Sequence, residues 1–314
     1  MNVRTSYDGL WRKRLDALDK VWPAFLAGET EALHKARVAS RRIREALPVV
    51  GAPASAAKVK KLRRKMRDLT RYLGPIRELD VELGMIAAQA GGDDVSRSAL
   101  ALVRREVASR RQALREKLKD EKPVSDLKKL LKKLEKVASH KDDHDHDQER
   151  RAALATTLMR RIKTLKSGLD EAGPLYAPER IHGVRIATKK LRYALEIALE
   201  TSQPGAKPLL KVLKREQDRL GHLHDLQSLL KHVREAEASP RVGSRLGELT
   251  SYADTLERDC RRLHAEFVEA RGTLFECVNE VRHGLVPALT TRHFHQARVA
   301  HPRRRVRAGI AKRS

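Results

Sequence analysis

Residues 33–47 read LHKARVASRRIREAL, and residues 181–195 read IHGVRIATKKLRYAL. Six of these fifteen aligned positions are identical, and six more are close exchanges such as Leu/Ile, Ser/Thr and Arg/Lys. A second pair of segments follows in the same order, LGPIRELD at 73–80 and LGHLHDLQ at 220–227. Two matches in order, at offsets of 148 and 147 positions, indicate an internal tandem repeat.

Apolar residues recur at helical spacing through most of the chain, and alternating Val/Ile/Thr-rich runs typical of strands are absent from the sequence. The sequence therefore predicts an all-α fold. Gly and Pro interrupt the helical pattern, as at Gly74-Pro75 and Pro204-Gly205. Between such breaks we expect helices at about 7–27, 31–50, 56–73, 76–90, 95–120, 124–138, 149–172, 179–202, 206–220, 223–238 and 243–285.

The repeat divides residues 1–290 into two halves, at about 7–138 and 149–290. Between them lies the polar stretch HKDDHDHD at 140–147, which has no apolar period, and we predict a surface linker at about 139–148. Its His and Asp side chains could also bind a divalent metal adventitiously. Residues 291–314 contain eight Lys or Arg and no acid, which predicts a disordered basic arm.

The chain carries 67 Lys and Arg against 41 Asp and Glu, a formal net charge of +26. The C-terminal arm supplies only eight of these charges, so +18 resides in the part predicted to fold. Such a charge opposes compaction, and we expect an anionic partner. Aromatic residues make up only 4% of the chain, too few for a base-stacking platform, which favours a polyanion without bases. The low aromatic content does not exclude duplex DNA as the partner, because contacts to the DNA backbone can dominate its recognition.

On a helical projection of about 100° per residue, the cations of each repeat copy fall on one face with apolar residues opposite. This face comprises His34, Arg37, Arg41 and Arg44 in the first copy and His182, Arg185, Lys189 and Arg192 in the second.

The helix that follows in each half repeats this design. Like charges at i,i+4 spacing destabilise a helix by a few tenths of a kcal/mol per pair. Basic faces on four helices in two copies therefore predict a bound polyanion rather than a merely solvated surface. The cations of this second helix are Lys60, Arg63, Arg64, Arg67 and Arg71 in the first copy and Lys207, Lys211 and Lys214 in the second, where Asp218 replaces the last cation.

His34 and His182 each stand one turn before an arginine on the basic face. Neighbouring cations are expected to lower their pKa values, because a nearby positive charge disfavours the protonated ring. We favour a role as hydrogen-bond donors to phosphate oxygens. The alternatives are a structural hydrogen bond at the helix start and a role in acid/base catalysis or metal ligation.

The only carboxylates suited to holding Mg²⁺ beside these cations are Glu78, Asp80 and Asp225. We interpret them as structural groups that cap helix N–H groups or pair with arginines. Cys260 and Cys277 fit neither a disulfide framework nor a thiolate metal site. We therefore expect no cofactor, no metal and no enzymatic activity, with a phosphohydrolase or phosphotransferase as the alternative.

The motifs resemble those of the CHAD family, named for its histidine-bearing α-helical domain. The residues that carry the resemblance are His34-x-x-Arg37-x-x-x-Arg41-Arg42-x-Arg44 and His182-x-x-Arg185-x-x-x-Lys189-Lys190-x-Arg192-Tyr193. The Leu-Gly-x-x-x-Asp/Glu-Leu elements at 73–79 and 220–226 are similar to that family as well. The resemblance covers roughly residues 7–285. The halves differ where Asp218 interrupts the second basic face and where Gln227 matches Asp80.

This resemblance implies two pseudo-symmetric helical bundles whose basic faces line a shared groove or cavity. It also implies non-catalytic binding of long-chain inorganic polyphosphate and association with polyphosphate granules. A nucleic acid is the alternative partner. The predicted polyphosphate-binding residues are His34, Arg37, Arg41, Arg42, Arg44, Lys60, Arg63, Arg64, Arg67, Arg71, His182, Arg185, Lys189, Lys190, Arg192, Tyr193, Lys207, Lys211 and Lys214.

The N-terminal sequence lacks the long apolar core of a signal peptide. No run in the sequence approaches the roughly 18 consecutive apolar residues of a membrane span. We therefore expect a cytoplasmic protein without a membrane partner.

Overall fold

A computed structural model describes residues 7–89, 97–120, 127–138, 144–201, 203–239 and 242–291, and the statements below concern these residues. They confirm the predicted all-α fold, because no strand occurs among them. The helices are α1 (Tyr7–Leu26), α2 (Thr30–Val50), α3 (Ala56–Tyr72), α4 (Gly74–Gln89), α5 (Arg97–Asp120), α6 (Leu127–Ala138), α7 (His144–Glu171), α8 (Pro178–Glu200), α9 (Ala206–Glu237), α10 (Leu246–Glu280) and α11 (Val286–Thr290). A 3-10 turn (Gly243–Arg245) precedes α10, and a π-helical turn (Val281–Leu285) follows it.

Helices that follow one another along the chain pack together over one hydrophobic core. α1 packs on α2 and α7 on α8, while α2 also packs on α3 and α8 on α9. The two halves meet where α2 contacts α7 and α8, and where α4 and α5 contact α9. Core side chains such as Leu18, Met66 and Phe267 are fully buried, and each stabilises the fold by roughly 1.5–3 kcal/mol. The pseudo-symmetry of the halves stays a prediction.

None of the helices in the described ranges is long and apolar enough to cross a membrane.

Pro75 explains why α3 and α4 are separate helices. A proline has no amide hydrogen to donate to the carbonyl four residues earlier, here at Arg71, and its ring clashes with that carbonyl. α3 accordingly ends at Tyr72, and α4 begins at Gly74. The predicted break at Gly74-Pro75 is thus present in the structure.

The aligned break in the second half, predicted between residues 220 and 223, is wrong because α9 runs unbroken from Ala206 to Glu237. His222 occupies the position that matches Pro75, and it keeps its amide hydrogen for the helix. Gly221 weakens a helix by about 1 kcal/mol relative to Ala. The flanking Leu220 and Leu223 are fully buried and hold the helix in the core.

The C-terminal part of the predicted linker also differs from expectation, because α7 begins at His144. Asp147 lies in the early turns of α7, where a negative charge is favourable beside free helix N–H groups. Arg150 anchors this region by donating to the Ala138 carbonyl at 3.1 Å and by contacting Asp8 at 3.2 Å. Residues 139–143 and the predicted basic arm at 292–314 lie outside the described residues.

Ion pairs join the two halves where α1 and α2 meet α7 and α8. Arg14, which is 4% exposed, contacts Glu200 at 3.1 Å and donates to the Arg42 carbonyl. Buried Glu45 of α2 contacts Arg161 of α7 at 2.6 Å. Breaking a buried pair of this kind destabilises a protein by roughly 3–5 kcal/mol, because one charge is left without a partner. These contacts fix the position of α2 against α8.

Candidate functional site

The basic faces of α2 and α8 come together where these helices pack against each other. Arg37 and Arg41 of α2 lie close to Arg185 and Lys189 of α8: burial lowers the pKa values of Arg37, Arg185 and Lys189, and the charge of Arg41 lowers all three further. We call these four residues the cationic cluster. The sequence predicted them on separate helices, and the structure makes them one group.

A surface cavity of about 410 Å³, here called the basic cavity, opens beside the cationic cluster between α2, α3 and α8. Its volume lies in the range of known ligand pockets, roughly 300–1,000 Å³. Glu78 of α4 is an acid in its lining. The predicted site residues that line it are Arg37, Arg41, Arg44, Arg67, Arg71, Lys189, Lys190 and Tyr193.

The cationic cluster is electrostatically unfavourable in the absence of an anion. Burial, followed by the charges of Arg185, Arg41 and Arg37, lowers the pKa of Lys189 to about 7. Burial, followed by the charge of Arg41, lowers the pKa of Arg37 to about 10, although Glu78 opposes this effect. Each lowered pKa means that the folded protein disfavours the charged form of the side chain. A negative ligand would reverse that preference.

Two carboxylates face the cationic cluster from aligned positions of the repeat. Glu78 accepts a hydrogen bond from Arg37 Nη2 at 3.1 Å. Asp225 of α9 interacts with Arg185, and burial raises the pKa of Asp225 while Arg185 opposes that rise. Glu78 thus holds Arg37 while Asp225 acts on Arg185 through its charge, so the two acids offset only part of the positive charge of the four cations.

The motif histidines differ in their partners. Arg77 Nε donates to His34 Nδ1 at 3.0 Å, so the neutral His34 ring carries its proton on Nε2 and keeps that donor. The ring of His182 lies 4.9 Å from that of His224. Burial is the first cause that lowers the pKa of both motif histidines, followed by Arg77 for His34 and Arg185 for His182.

Three predicted arginines are held in ion pairs that reduce the charge they offer to a ligand. Arg42 Nε lies 3.3 Å from Glu196 Oε2, and Arg192 Nη1 lies 2.5 Å from Glu196 Oε1. Arg44 Nη2 lies 3.0 Å from the buried Glu45. Arg42 of α2 thus links α2 to α8 through Glu196, whereas Arg192 pairs with Glu196 within α8.

The buried tyrosine of the second motif, Tyr193, lies against Arg192, whose guanidinium carbon is 4.9 Å from the ring centre. On the other side of the cavity, burial is the first cause that lowers the pKa of Lys190, followed by Arg161, with Arg44 and Arg63 acting in the same direction. Arg63 of α3 and Lys190 of α8 therefore belong to the same positively charged region.

The remaining predicted cations lie on two helices, α3 and α9. Arg67 and Arg71 are exposed on α3 at the basic cavity, and both lie within 4.0 Å of Asp68. Lys60 and Arg64 are exposed nearer the start of α3. Three further lysines are exposed on α9 and, within the described part of the chain, do not belong to the lining of the basic cavity: Lys207, Lys211 and Lys214.

Sequence reasoning missed three cations or histidines at the site, namely Arg77, Arg161 and His224. Arg77 and His224 occupy aligned positions in LGPIRELD and LGHLHDLQ, and each contacts the motif histidine of its own half. That alignment was a signal that could have identified them. Burial, followed by Arg185, lowers the pKa of His224 to about 4. Arg161 carries no comparable pattern, because its partner Glu45 lies 116 positions away.

Among the described residues, no group of three or more His, Cys, Asp or Glu side chains could hold a metal ion. Asp80, one of the carboxylates weighed for catalysis, pairs with Arg111 of α5. Cys260 and Cys277 are free and buried. Burial raises the pKa of Cys277 to about 12, so this thiol is a poor nucleophile.

These features define an all-helical protein in which cations of α2, α3 and α8 line one cavity. The family model described as CHAD domain matches residues 9–234. The chain therefore belongs to the CHAD domain family, and the resemblance noted in the sequence is confirmed.

Two solved structures share this fold. The crystal structure of the CHAD domain from the plant Ricinus communis aligns with a TM-score of 0.58 at 21% identity, covering 84% of this chain and 89% of that chain. PptA from Streptomyces chartreusis aligns with a TM-score of 0.60 at 18% identity, covering 87% of this chain and 98% of that chain. At these identities the likeness shows the fold alone. A comparison with curated proteins finds no match.

The position of Lys189 predicts that Lys189→Met stabilises the protein without ligand. In the unfolded chain the lysine pKa is near 10.5, against about 7 in the fold. Below pH 7 Lys189 is charged in both the folded and the unfolded protein, and its full destabilising effect on the fold is present. Between pH 7 and 10.5 Lys189 is neutral in the folded protein but still charged in the unfolded chain, so the destabilisation decreases as the pH rises. We expect a gain of roughly 1–2 kcal/mol in unfolding free energy at pH 6, allowing for partial solvent access.

Urea denaturation at pH 6 and pH 9 measures this gain, with Lys128→Met on the exposed face of α6 as the control. The gain should be larger at pH 6 than at pH 9. A Lys189→Met protein that is no more stable than wild type at pH 6 would contradict the assigned repulsion.

Proposed function

We propose that this protein binds long-chain inorganic polyphosphate at the cationic cluster and the basic cavity, and catalyses no reaction on it. The observation that carries the proposal is the close approach of Arg37, Arg41, Arg185 and Lys189, whose charges oppose one another when no anion is present. Membership in the CHAD domain family supports the same ligand, because the resemblance of the motifs implies it.

Polyphosphate suits this site because it repeats one negative group along a chain and has no base edge to be read. Arginine forks can bind its oxygens in pairs, whereas Lys189 acts as a point charge. His34 contributes a donor through Nε2, since Nδ1 is occupied by Arg77. Binding releases counterions and should weaken with salt. Long chains should bind more tightly than short ones, because each further phosphate adds an intramolecular contact.

The proposal assigns no catalytic residue. Glu78 is bonded to Arg37 and Asp80 to Arg111, so these carboxylates orient arginines. Asp225 interacts with Arg185 through its charge. We extend the proposal to association with polyphosphate granules in the cytoplasm, where the same polymer is present at high local concentration.

A nucleic acid is the second candidate ligand, favoured by the net charge of +26 and by the arginine-rich segment at 292–314. Counterion release would give either polymer a steep salt dependence. The two ligands differ in where the affinity should reside. Polyphosphate binding is proposed for the helices, whereas an electrostatic arm that binds DNA would carry its affinity in the C-terminal segment.

Replacing two members of the cationic cluster tests the site. We expect Arg41→Gln with Lys189→Gln to lower the affinity for long-chain polyphosphate by roughly tenfold or more, because two phosphate contacts are removed. Fluorescence anisotropy with labelled polyphosphate measures the affinity at several salt concentrations. The slope of log affinity against log salt should decrease by about two.

The matched control is Arg104→Gln with Arg105→Gln, which removes the same charge from exposed positions on α5. This control should bind nearly as wild type. Equal losses in the two double variants would mean that net charge, rather than the cluster, determines binding. A variant lacking residues 291–314 should retain most polyphosphate affinity, and complete loss would favour the nucleic-acid candidate.

Binding should also be accompanied by proton uptake near pH 8. Lys189 has a pKa of about 7 in the free protein, so it is mostly neutral at pH 8, and a bound anion raises its pKa. Isothermal titration calorimetry in two buffers of different ionisation enthalpy measures the uptake. Lys189→Gln should abolish most of it. Proton release, or an uptake unchanged in Lys189→Gln, would contradict the placement of polyphosphate at Lys189.

A further inference from the structure

α6 carries a basic face that lies outside the basic cavity. Its sequence, LKKLLKKLEKVA, places its apolar residues on one side of the helix, and all of these are buried. Trp11 Nε1 of α1 donates to the Leu134 carbonyl at 3.0 Å, which fixes α6 against the core. The opposite side consists of exposed side chains, namely Lys128, Lys129, Lys132, Lys133, Glu135 and Lys136.

The end of α6 meets the start of α3. A Cβ atom added at Gly51 would lie 2.7 Å from Val137 Cγ1 of α6 and 3.0 Å from Val59 Cγ2 of α3. The two valines therefore flank one point in the turn between α2 and α3. The start of α3 and the end of α6 therefore lie beside each other at this turn.

The cations of α3 connect this turn to the basic cavity. Arg71 and Arg67 line the cavity, and Arg64 and Lys60 are exposed farther toward the start of the helix. Arg71 lies eleven positions after Lys60, a distance of about 16 Å along a helix that rises about 1.5 Å per residue. A flexible polyanion that leaves the cavity along α3 would reach the end of α6.

The two flanks of the α6 basic face differ in their position relative to Val137. At about 100° per residue, Lys133 and Lys129 lie about 40° and 80° from Val137 on the side away from the core. Lys132 and Lys128 lie about 140° and 180° from it. We call Lys129, Lys133 and Lys136 the near row, since it is the flank next to α3. The far flank also includes Glu135, three residues after Lys132.

We infer that the near row of α6 is a second binding segment for the same polyphosphate chain, which runs from the basic cavity along α3 to α6. This inference rests on the proposed function and adds a segment to its site. Lys133 and Lys136 of the near row carry like charges at i,i+3, which repel each other on a helix surface. The charge of a polymer that has already bound in the cavity offsets that repulsion at a high effective concentration.

An anionic membrane surface is the other class of partner for a lysine-rich amphipathic helix. Helices that bind membranes insert the apolar face opposite their cations. In α6 that face, which includes Leu130, Leu134 and Val137, is buried in the protein core. The exposed side offers charge without an apolar anchor, which favours a soluble polyanion.

The test compares two matched double variants of the full-length protein, Lys129→Gln with Lys133→Gln on the near row and Lys128→Gln with Lys132→Gln on the far flank. Both remove two lysines at i,i+4 from the same helix. Affinity for long-chain polyphosphate and for tripolyphosphate is measured by competition over a range of salt. We expect the near-row variant to bind the long chain several-fold more weakly, with a salt slope smaller by about two, and to bind tripolyphosphate unchanged.

Equal effects of the two variants on the long chain would overturn the inference, as would an equal loss for tripolyphosphate. The near-row variant could instead lose binding to vesicles of phosphatidylserine and phosphatidylcholine while its polyphosphate affinity is unchanged. That result would mean that the near row binds an anionic membrane and not polyphosphate. Failure of the proposed function is distinguishable, because wild type would then bind neither polyphosphate ligand and Arg41→Gln with Lys189→Gln would have no effect. Circular dichroism confirms that both α6 variants keep their helices.

Discussion

Arg41 on α2 and Lys189 on α8 carry like charges toward the same small region where the two helices pack. Packing of apolar side chains sets this approach, and ion pairs between the halves hold it against the repulsion. Arg42 shares Glu196 with α8, and Glu45 binds Arg161 of α7. Core packing thus holds these cations closer together than they would be in the unfolded chain. A bound anion would relieve the repulsion between them.

The other parts of the site follow from that constraint. Glu78 accepts a hydrogen bond from Arg37 and Asp225 attracts Arg185, and the two acids do not neutralise the group. The lowered pKa of His34 keeps its ring neutral, so that it adds a donor rather than a further charge. Where Pro75 separates α3 from α4, α3 ends beside the cavity with its arginines exposed. The site therefore combines a largely buried cluster of like charges with exposed cations on α3, an arrangement that suits the proposed polymeric ligand.

Much of the fold could be predicted from the sequence, because helix periodicity and Gly or Pro breaks act locally. The continuous α9 was missed because the effect of Gly221 depends on tertiary packing around Leu220 and Leu223. The faces of α2 and α8 were also predicted from the residues, whereas a shared groove was expected only from the family resemblance, since helix docking depends on contacts between distant segments. The same reason explains why Arg42 appeared to be a free cation, although its partner is Glu196, 154 positions later.

The most direct measurement is a salt-titrated competition for labelled long-chain polyphosphate bound to the full-length protein. Unlabelled long-chain polyphosphate, tripolyphosphate and duplex DNA compete at equal phosphate concentration. Because the cluster is compact and reads no bases, long-chain polyphosphate should displace the label far more effectively than the other two as salt increases toward physiological strength. Displacement by duplex DNA as effective as that by long-chain polyphosphate would contradict the account.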